Sequence, residues 1–505
     1  MAADWRDERI AELEAEAAQK DVELSVRDAR VAEVEGQVAT LTAQVAALTK
    51  QVAELMEKLS RNSRNSHLPP SSDPPGTRGQ SGKGPVGRKR GGQPGHGGSQ
   101  RTLLPPEQVD EVVDLFPSHC EGCACELPEV PDLDAHRYQQ VELPPIKPHT
   151  TEWRCHEVAC DKCGSKTRAP CDAERIPASP FGPRLMALIA FLTGVYHVSR
   201  RKTVVLLWEV LGIRISLGAL SAVEARVSDA VTPAVEEAWK RVGAGAVKHT
   251  DGTSWLQAGA VRALWTIATT AATVFKILSD NSKATLQPLY GCLCGILVSD
   301  RAKALGFWAM DRRQICWAHL LRKFVSFSER DGPAGALGRE LLDYTGILFE
   351  YWHDYRDGKL ARDVFVTWMA ALGPKVEAVL ARAVAAEIDG LSGSCADILE
   401  HKQALWTFVT RDDVEPTNNH AEREIRAFVL WRKRSYGAQS DRGNLFAERV
   451  MTVAHTARKQ HKNVLAFFTA CCRARLRRTP PPSLFVPDAV AAYVDGRCAS
   501  RAIGK

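Results

Sequence analysis

Residues 245–300 read GAVKHTDGTSWLQAGAVRALWTIATTAATVFKILSDNSKATLQPLYGCLCGILVSD, and this stretch sets the fold class. It contains short runs rich in β-branched residues, which are typical of strands separated by turns. The predicted strands are 247–249, 263–270, 273–278 and 293–298. Helical patterns dominate on both sides of this stretch. The sequence therefore predicts a multidomain α+β protein in which a sheet is flanked by helices.

Three carboxylates stand at positions where they can meet. Asp251 and Asp300 each follow a predicted strand, and Glu422 lies at the start of a helical segment, NNHAEREIR (418–426). Three converging carboxylates can hold two Mg²⁺ ions, although an aspartate after a strand is also a common turn residue. Asp311 is the rival of Asp300. Glu424 is the rival of Glu422, but two positions along a helix it points elsewhere.

The N-terminal region, residues 1–60, carries a heptad repeat from 10 to 59. Its a positions are Ile10, Ala17, Leu24, Val31, Val38, Val45, Val52 and Leu59, and its d positions are Leu13, Lys20, Arg27, Val34, Leu41, Leu48 and Leu55. Mostly β-branched residues at a with leucine at d favour a parallel two-stranded coiled coil. Lys20 and Arg27 weaken its first half. The alternative is a single amphipathic helix packed on the body, but the narrow seam favours an oligomerisation helix.

Charge is distributed unevenly along a chain whose net charge is +6. Residues 1–60 hold 7 basic and 13 acidic residues, 61–103 hold 8 and 1, and 421–480 hold 14 and 4. The two basic segments suggest a polyanion such as nucleic acid, or else a solvated surface. Residues 61–103 form a linker rich in Gly, Pro and Ser, in which Arg88, Lys89 and Arg90 can contact phosphates or serve only a soluble spacer.

Residues 104–175 contain two Cys-x-x-Cys motifs, Cys120/Cys123 and Cys160/Cys163. Two such motifs separated by a strand-rich spacer indicate a structural zinc ribbon with four thiolate ligands. Cys125, Cys155 and Cys171 are additional, so the ligand set stays open, as does the alternative of reduced, partly buried cysteines. The 14 cysteines of a chain expected in the cytosol argue against a disulfide framework.

Residues 181–240 read as successive helices. The second, 201–211, ends at Gly212, and Ser216 can cap a third, 217–227. This is the outline of a DNA-binding helix-turn-helix, which any helical hairpin shares. No apolar run reaches the ~20 residues that span a membrane, and the N-terminus lacks the apolar segment of a signal peptide. We therefore expect a cytoplasmic protein.

Several separated motifs resemble the transposases of the insertion-sequence 66 family over about residues 31–475. They are NSRNS (62–66) with PPSSD (69–73), GGQPGH (91–96), the two Cys-x-x-Cys motifs, CWAH (316–319) with RKF (322–324), and NNxAERxIR (418–426) with Arg432-Lys433. Two departures stand out. Asp251-Gly252-Thr253 replaces the usual Asp-Glu-Thr, and Ser299-Asp300-Arg301 replaces the usual surroundings of the second aspartate.

The resemblance implies a DDE transposase with a ribonuclease-H-like core at 244–475, a helical insertion at 325–405 and a C-terminal tail at 476–505. The implied catalytic residues are Asp251, Asp300 and Glu422, holding two Mg²⁺ ions that support 3′-end cleavage and strand transfer at the terminal repeats of an insertion sequence. His319 is a candidate accessory. The implied DNA-binding residues are Arg423, Arg426, Arg432 and Lys433.

The implied partners are terminal-repeat and target DNA, a second copy through the coiled coil, and as a further candidate accessory proteins of the same element. The implied location is the nucleoid-associated bacterial cytoplasm. The rival interpretation is a catalytically degenerate, transposase-derived DNA-binding protein or repressor, which the two departures would favour. A purely structural coiled-coil scaffold does not explain the cluster at 418–426.

Overall fold

The computed structural model describes residues 4–60, 65, 102–132, 134–170, 176–177 and 179–485. Within α1, the N-terminal helix Asp4–Ser60, side chains are described for residues 8–49, 51–52 and 56. The chain divides into two compact units, one comprising residues 1–78 and 316–412 and the other 79–315 and 413–505. The basic cluster Arg88, Lys89 and Arg90 and the additional Cys171 lie outside the described residues.

A five-stranded mixed sheet organises the larger unit. Its strands are β3 (Val247–Gln257), β4 (Ala260–Ala268), β5 (Thr273–Leu278), β6 (Ile296–Ser299) and β7 (Arg313–Ile315), in the spatial order β5-β4-β3-β6-β7. The first three form antiparallel hairpins, and β6 and β7 run parallel to β3. The predicted α+β class and its four strands are confirmed, but β3 continues to Gln257, so Asp251 lies inside a strand and not after one as predicted. The strand β7 is additional.

Both faces of this sheet are covered, because apolar side chains alternate along its strands. Trp255, Leu264 and Phe275 belong to one buried cluster, whereas Trp265 and Leu297 belong to another. The helices of this unit are α2 (Pro183–Ala190), α3 (Arg200–Leu211), α4 (Leu217–Ala230), α5 (Thr232–Ala244), α6 (Lys283–Tyr290), α12 (Asn419–Ser435), α13 (Asp441–Lys459) and α14 (Val464–Arg477). The chain continues past α14 to Leu484, which is fully buried.

The predicted hairpin of α3 and α4 has the expected caps. Gly212 ends α3 in the left-handed region at φ 65°, and the Ser216 hydroxyl accepts the N–H of Ala219 at 3.1 Å to begin α4. The two helices differ in exposure. On α4, Leu220 and Val223 are fully buried, whereas Trp208 on α3 is 48% exposed. The second helix of the hairpin, α4, therefore packs in the core, whereas the first, α3, is exposed to solvent along one face.

The other unit contains α1 and the helices α7 (Trp317–Ser328), α8 (Gly332–Arg356), α9 (Arg362–Ala385), α10 (Ser392–Glu400) and α11 (Thr407–Thr410). Of the described helices, α9 is long and apolar enough by length and composition to cross a membrane, which the sequence analysis did not anticipate. However, Phe365, Met369 and Leu380 of α9 are buried, and α9 packs between α8 and α10. It is a core helix of this helical unit.

Two short strands, β1 (Glu157–Ala159) and β2 (Lys166–Arg168), form a separate antiparallel hairpin in the cysteine-rich segment. All six of their residues are exposed. A hairpin of this size cannot bury a core of its own, so this segment depends on another source of stability.

Candidate catalytic site

Asp251 and Asp300 occupy neighbouring parallel strands. The register pairs Val247 with Ile296 and His249 with Val298. Continued by two residues, the same register sets Asp251 beside Asp300. Paired residues of parallel strands point to the same face, and the strands lie about 4.8 Å apart. On this extended register the two half-buried aspartates fall at adjacent positions, Asp300 directly after the last residue of β6.

The charges of both carboxylates affect the pKa of a buried tyrosine, Tyr290. The Tyr290 hydroxyl is hydrogen-bonded at 2.5 Å to the hydroxyl of Thr250, the residue before Asp251. Burial, and then the charges of Asp251 and Asp300, raise the pKa of Tyr290. Both aspartates therefore act on a single phenol, which agrees with the strand register.

A buried arginine holds the backbone of Asp300. Arg313, on β7, is fully buried, and its guanidinium donates to the Asp300 carbonyl oxygen at 3.1 Å and to the Ser299 hydroxyl at 3.2 Å. The Asp300 carboxylate in turn accepts the N–H of Ala302 at 3.0 Å. Burial lowers the pKa of Arg313, and the charge of Asp300 opposes that shift. Asp300 is thus fixed on both its backbone and its side chain.

Glu422 is brought to the same strand by α12. The side-chain amide of Asn418, which is fully buried, donates to the Thr250 carbonyl oxygen at 2.7 Å. The N–H of Glu422 then donates to the Asn418 carbonyl oxygen at 3.2 Å. Thr250 directly precedes Asp251, so the first turn of α12 is attached beside the first aspartate. The N-terminus of a helix also favours a negative charge.

The far end of α12 is attached to β3 as well. Arg432 donates to the Ser254 hydroxyl at 2.5 Å and to the Thr253 hydroxyl at 3.2 Å. Just beyond the helix, the N–H of Ala438 donates to the Leu256 carbonyl oxygen at 2.9 Å. With both ends held on β3, α12 fixes where Glu422 lies.

The rival carboxylates face other surroundings. Glu424 is 14% exposed and pairs with His455 at 2.5 Å and with Lys459 at 3.1 Å, both on α13. Burial opposes its charge, yet the hydrogen bond and charge of His455 and the charge of Lys459 lower the pKa of Glu424 to about 2. Asp311 lies exposed in a short 3₁₀ turn before β7. The two rivals thus differ from Glu422 and Asp300 in their surroundings, and the choice of Glu422 and Asp300 as site residues stays a prediction.

The departure at Gly252 has a packing cause. Gly252 pairs with Trp265 across the β3–β4 hairpin. A Cβ at residue 252 would lie 2.8 Å from the Trp265 ring. The indole is held in turn by a 2.8 Å hydrogen bond to Asn281. Because any larger side chain would meet this ring, glycine at 252 and tryptophan at 265 go together.

The three carboxylates suit magnesium by chemistry. Carboxylate oxygens are the ligands that Mg²⁺ prefers, and a pair of ions lies about 3.5–4 Å apart. Among the described residues, the oxygens of Asp251, Asp300 and Glu422 do not all lie within 4.8 Å of one another. The structure therefore brings two carboxylates side by side and anchors the third on an adjoining helix, without closing them into a tight cluster.

Sequence comparison identifies the family. The model of the IS66 transposase family matches residues 178–445, more than half of the 505 residues, and includes all three carboxylates. The chain belongs to this family. It is a DDE transposase, an enzyme class that cleaves and transfers DNA strands by phosphoryl transfer, and its membership implies a ribonuclease-H-like core. No curated protein matches the chain. Residues 21–102 match a family of unknown function, DUF6444.

The transposase presents a basic stripe on the outer face of α12. Arg423, Arg426, Leu430 and Lys433 are exposed and follow one another at spacings of three and four, which places them on one face of the helix. Three of the four predicted DNA-binding residues of α12 belong to this stripe. Arg432 differs, because its guanidinium is half-buried against β3.

The two Cys-x-x-Cys motifs of the transposase share one backbone turn. In the first, the N–H of Cys120 donates to Cys125 O at 2.9 Å and the N–H of Ala124 donates to Cys120 O at 2.8 Å. The second repeats these bonds from Cys160 to Ser165 and from Gly164 to Cys160, at 2.9 and 2.8 Å. Ala124 and Gly164 both have positive φ, 58° and 68°. Each turn therefore presents a pair of thiols in the same way.

The thiols are also chemically disposed to bind a metal. Hydrogen bonds from the Cys125 backbone and from neighbouring thiols lower the pKa of Cys123, and those from the backbone of Lys162 and Cys163 lower the pKa of Cys160. The thiolate is the ligand form. Among the described residues, however, the four sulfurs do not all lie within 4.8 Å of one another. Cys155 is disulfide-bonded, although the sequence argues against a disulfide framework.

His319, the accessory candidate, lies on α7 in the helical unit and is buried. Its N–H donates to the Cys316 carbonyl oxygen at 3.2 Å, which belongs to the start of the helix. A role for its imidazole in catalysis stays a prediction.

Proposed function

We propose that this transposase cleaves and joins DNA strands at the terminal repeats of its own insertion sequence. Its catalytic residues in this proposal are Asp251, Asp300 and Glu422. The observation that carries the proposal is the shared register of β3 and β6, which sets Asp251 beside Asp300 while α12 attaches Glu422 to the same strand. These residues would hold two Mg²⁺ ions, which supply an activated water or 3′-hydroxyl and stabilise the leaving oxygen when bound.

The chain's own residues supply rigidity to this site. Arg313 and the N–H of Ala302 hold Asp300, and Asn418 holds the turn that precedes Glu422. Such support matters because the reaction rate falls when catalytic residues are misplaced by even about 1 Å. The exposed stripe on α12 then provides guanidinium and ammonium groups for phosphates that enter the site.

DNA binding beyond the site belongs to other elements. On the hairpin, α3 is the exposed helix, and Arg214 stacks on Trp208 at 4.3 Å. We assign DNA contact there to α3 rather than to the buried α4. The Cys-x-x-Cys turns are proposed to hold one structural zinc through Cys120, Cys123, Cys160 and Cys163. The linker residues Arg88, Lys89 and Arg90 are proposed to contact phosphates.

The exposed seam of α1 supports assembly of at least two copies, and a DNA substrate places the protein at the bacterial nucleoid. Accessory proteins of the same element remain a proposal that rests on the family alone. The alternative function, a degenerate DNA-binding repressor, rests on the altered surroundings of Asp251 and Asp300. The fit of Gly252 against Trp265 weakens it, because that departure preserves the strand rather than disrupting it.

The deciding experiment is Mg²⁺-dependent nicking of a supercoiled plasmid that carries the complete element with both ends. Asp251→Asn should abolish nicking and leave DNA binding intact, because the fold does not need that charge. Asp311→Asn, at an exposed residue, is the matched control and should retain activity. If Asp311→Asn lost activity and Asp251→Asn kept it, Asp311 would belong to the site and the proposed residues would be wrong. A wild-type protein that binds DNA but never nicks it would favour the repressor.

A further inference from the structure

Tyr436, the residue that ends α12, exposes its ring to solvent. It is 73% exposed, and within the described part of the chain its ring stacks on no other ring and its hydroxyl has no hydrogen-bond partner. Its backbone lies in the left-handed region, at φ 55° and ψ 31°. A bulky residue rarely adopts this conformation, which glycine or asparagine usually takes at the end of a helix. Core packing therefore explains neither the residue nor its conformation.

The backbone on both sides of Tyr436 is fixed. The N–H of Tyr436 donates to the Arg432 carbonyl oxygen at 2.9 Å and closes the last turn of α12. The next residue is Gly437, where a Cβ would clash with the Leu256 carbonyl oxygen of β3. The N–H of Ala438 then donates to that same oxygen at 2.9 Å. A tyrosine on so rigid a frame loses little conformational entropy when a flat partner covers its ring.

The surroundings of Tyr436 along α12 are basic. Lys433, the last cation of the basic stripe, lies one helical turn earlier, and Arg434 is exposed as well. Arg423 and Arg426 extend the row of cations along the same helix. Proteins hold unpaired nucleic acid by this combination, in which cations contact the phosphates and an aromatic ring stacks on a base. A base inside a duplex has both faces covered by its neighbours, so the partner that fits the ring is an unpaired base.

We propose that Tyr436 stacks on one unpaired base of the DNA end that this transposase cuts. The proposal rests on the DNA binding and catalysis proposed above and adds a contact to a nucleobase. Tyr436 follows Glu422 by 14 residues, which is about 21 Å along a helix. Because the bases of one strand are about 3.4 Å apart, a strand that follows the stripe brings a base about six nucleotides from the cleaved bond to Tyr436.

A set of short duplexes tests the partner and its position. Each carries one end of the element and a single 2-aminopurine opposite an abasic site, placed at successive distances from the cleaved bond, and Mg²⁺ is left out. The wild type should quench this base most strongly at about six nucleotides, and should bind that duplex at least about fivefold more tightly than the fully paired one. Tyr436→Phe should keep both effects, since the ring remains.

Tyr436→Asn should lose the quenching and bind the two duplexes equally. Tyr138→Asn is the matched control, because it replaces another exposed tyrosine, outside α12, and should behave as the wild type does. A preference for the unpaired base that survives in Tyr436→Asn, or quenching at no position in the wild type, would overturn the proposal.

The left-handed backbone separates stacking from a structural role. Asparagine tolerates this region better than tyrosine does, so Tyr436→Asn should unfold at the same temperature as the wild type or above it. A lower unfolding temperature would mean that the ring supports the fold, and weaker self-association in sedimentation would mean that it contacts a second copy; either result refutes the proposal. Plasmid nicking by the wild type is scored separately. A wild type that nicks but shows no preference for the unpaired base refutes the stacking alone.

Discussion

At the scale of the residue, Glu422 and Glu424 show how two glutamates on one helix take different roles. Glu422 lies in the turn attached to β3, whereas Glu424 is enclosed by charges from α13. We expect Glu422→Gln to abolish nicking and leave the free energy of unfolding nearly unchanged. Glu424→Gln should lower the free energy of unfolding by about 3 kcal/mol, because it leaves Lys459 buried without its anion. Urea unfolding and plasmid nicking measure the two effects.

The paired design protects this prediction from a trivial result. Both substitutions are isosteric and remove one negative charge from α12, so helix propensity changes equally in each. Lys459→Met with Glu424→Gln should recover part of the lost stability, since neither charge then remains buried alone. A stable Glu424→Gln variant that fails to nick would make Glu424, not Glu422, the catalytic residue.

The half-buried His197 sets part of the response of the protein's stability to acid. His197 stacks on Trp431 at 4.6 Å, and burial followed by the charges of Arg434, His455 and Arg458 lowers its pKa to about 4. The unfolded chain binds this proton near pH 6.5, whereas the folded chain resists it until about pH 4. Stability is therefore complete above pH 6.5 and declines as the pH falls from 6.5 toward 4.

The expected loss between pH 7 and pH 5.5 from this one group is roughly 1 kcal/mol. His197→Asn removes the titrating ring while tolerating the positive φ of 57° at this position. The variant should be less stable at pH 7, since it loses the stacking on Trp431, yet it should lose less stability on acidification. Urea unfolding at the two pH values gives the comparison. An unchanged pH dependence in the variant would contradict the prediction.

At the scale of the element, the sequence predicts most of the sheet but not its last strand. Runs of β-branched residues predict the strands β3 to β6, and β5 has the predicted bounds, 273–278. By contrast, β7 is three residues long and begins with Arg313 and Gln314, which are both fully buried. A strand that begins with two polar residues lacks the apolar pattern by which a buried strand is predicted. The burial of Arg313 and Gln314 depends on hydrogen bonds that only the folded chain shows.

The candidate site follows the same rule. Asp300 could be named from its place directly after β6 and Glu422 from its motif, whereas Asp251, predicted to follow a strand, lies inside β3. The support of Asp300 by Arg313 could not be named, because it joins two strands whose register is fixed by the fold. Nor could the fit of Gly252 to Trp265, which arises from cross-strand pairing. The signal available in the sequence for this support was Arg313, which follows Asp300 at a short distance along the chain.

The cysteine-rich segment makes its own prediction. Each turn presents two thiols, and the exposed β1–β2 hairpin has little core, so a bound metal should be the source of its stability. The purified chain should carry about one zinc, measured by elemental analysis. Cys123→Ser and Cys160→Ser should each lose it, and chelation should make residues 104–170 sensitive to protease.

Cys125→Ser is the matched control for the zinc site. Cys125 is exposed and joins the first turn through its backbone carbonyl, and the equivalent residue of the second turn is Ser165, so loss of the Cys125 thiol should leave the zinc content unchanged. If Cys125→Ser loses zinc while Cys120→Ser keeps it, the ligand set is wrong although a metal is present. A chain that binds no zinc at all would refute the ribbon.

At the scale of the whole molecule, charge separates the proposed tasks along the chain. The N-terminal 60 residues carry 13 acidic against 7 basic residues, a balance that repels DNA and suits contact between protein copies. Residues 421–480, with 14 basic and 4 acidic residues, have the opposite balance. Assembly and DNA contact are thereby assigned to different segments of the chain, and each can be altered without the other.

The last prediction measures the DNA-facing end through its salt dependence. Each phosphate that a basic side chain neutralises contributes about 0.9 to the slope of log affinity against log salt concentration. Arg423→Ala with Arg426→Ala should therefore reduce this slope by about 2 on a duplex in EDTA, where no cleavage occurs. Arg382→Ala, on α9 and paired with Glu340 at 2.5 Å, is the control and should leave the slope unchanged. Weaker binding with an unchanged slope would mean that the α12 stripe supports the fold rather than the DNA.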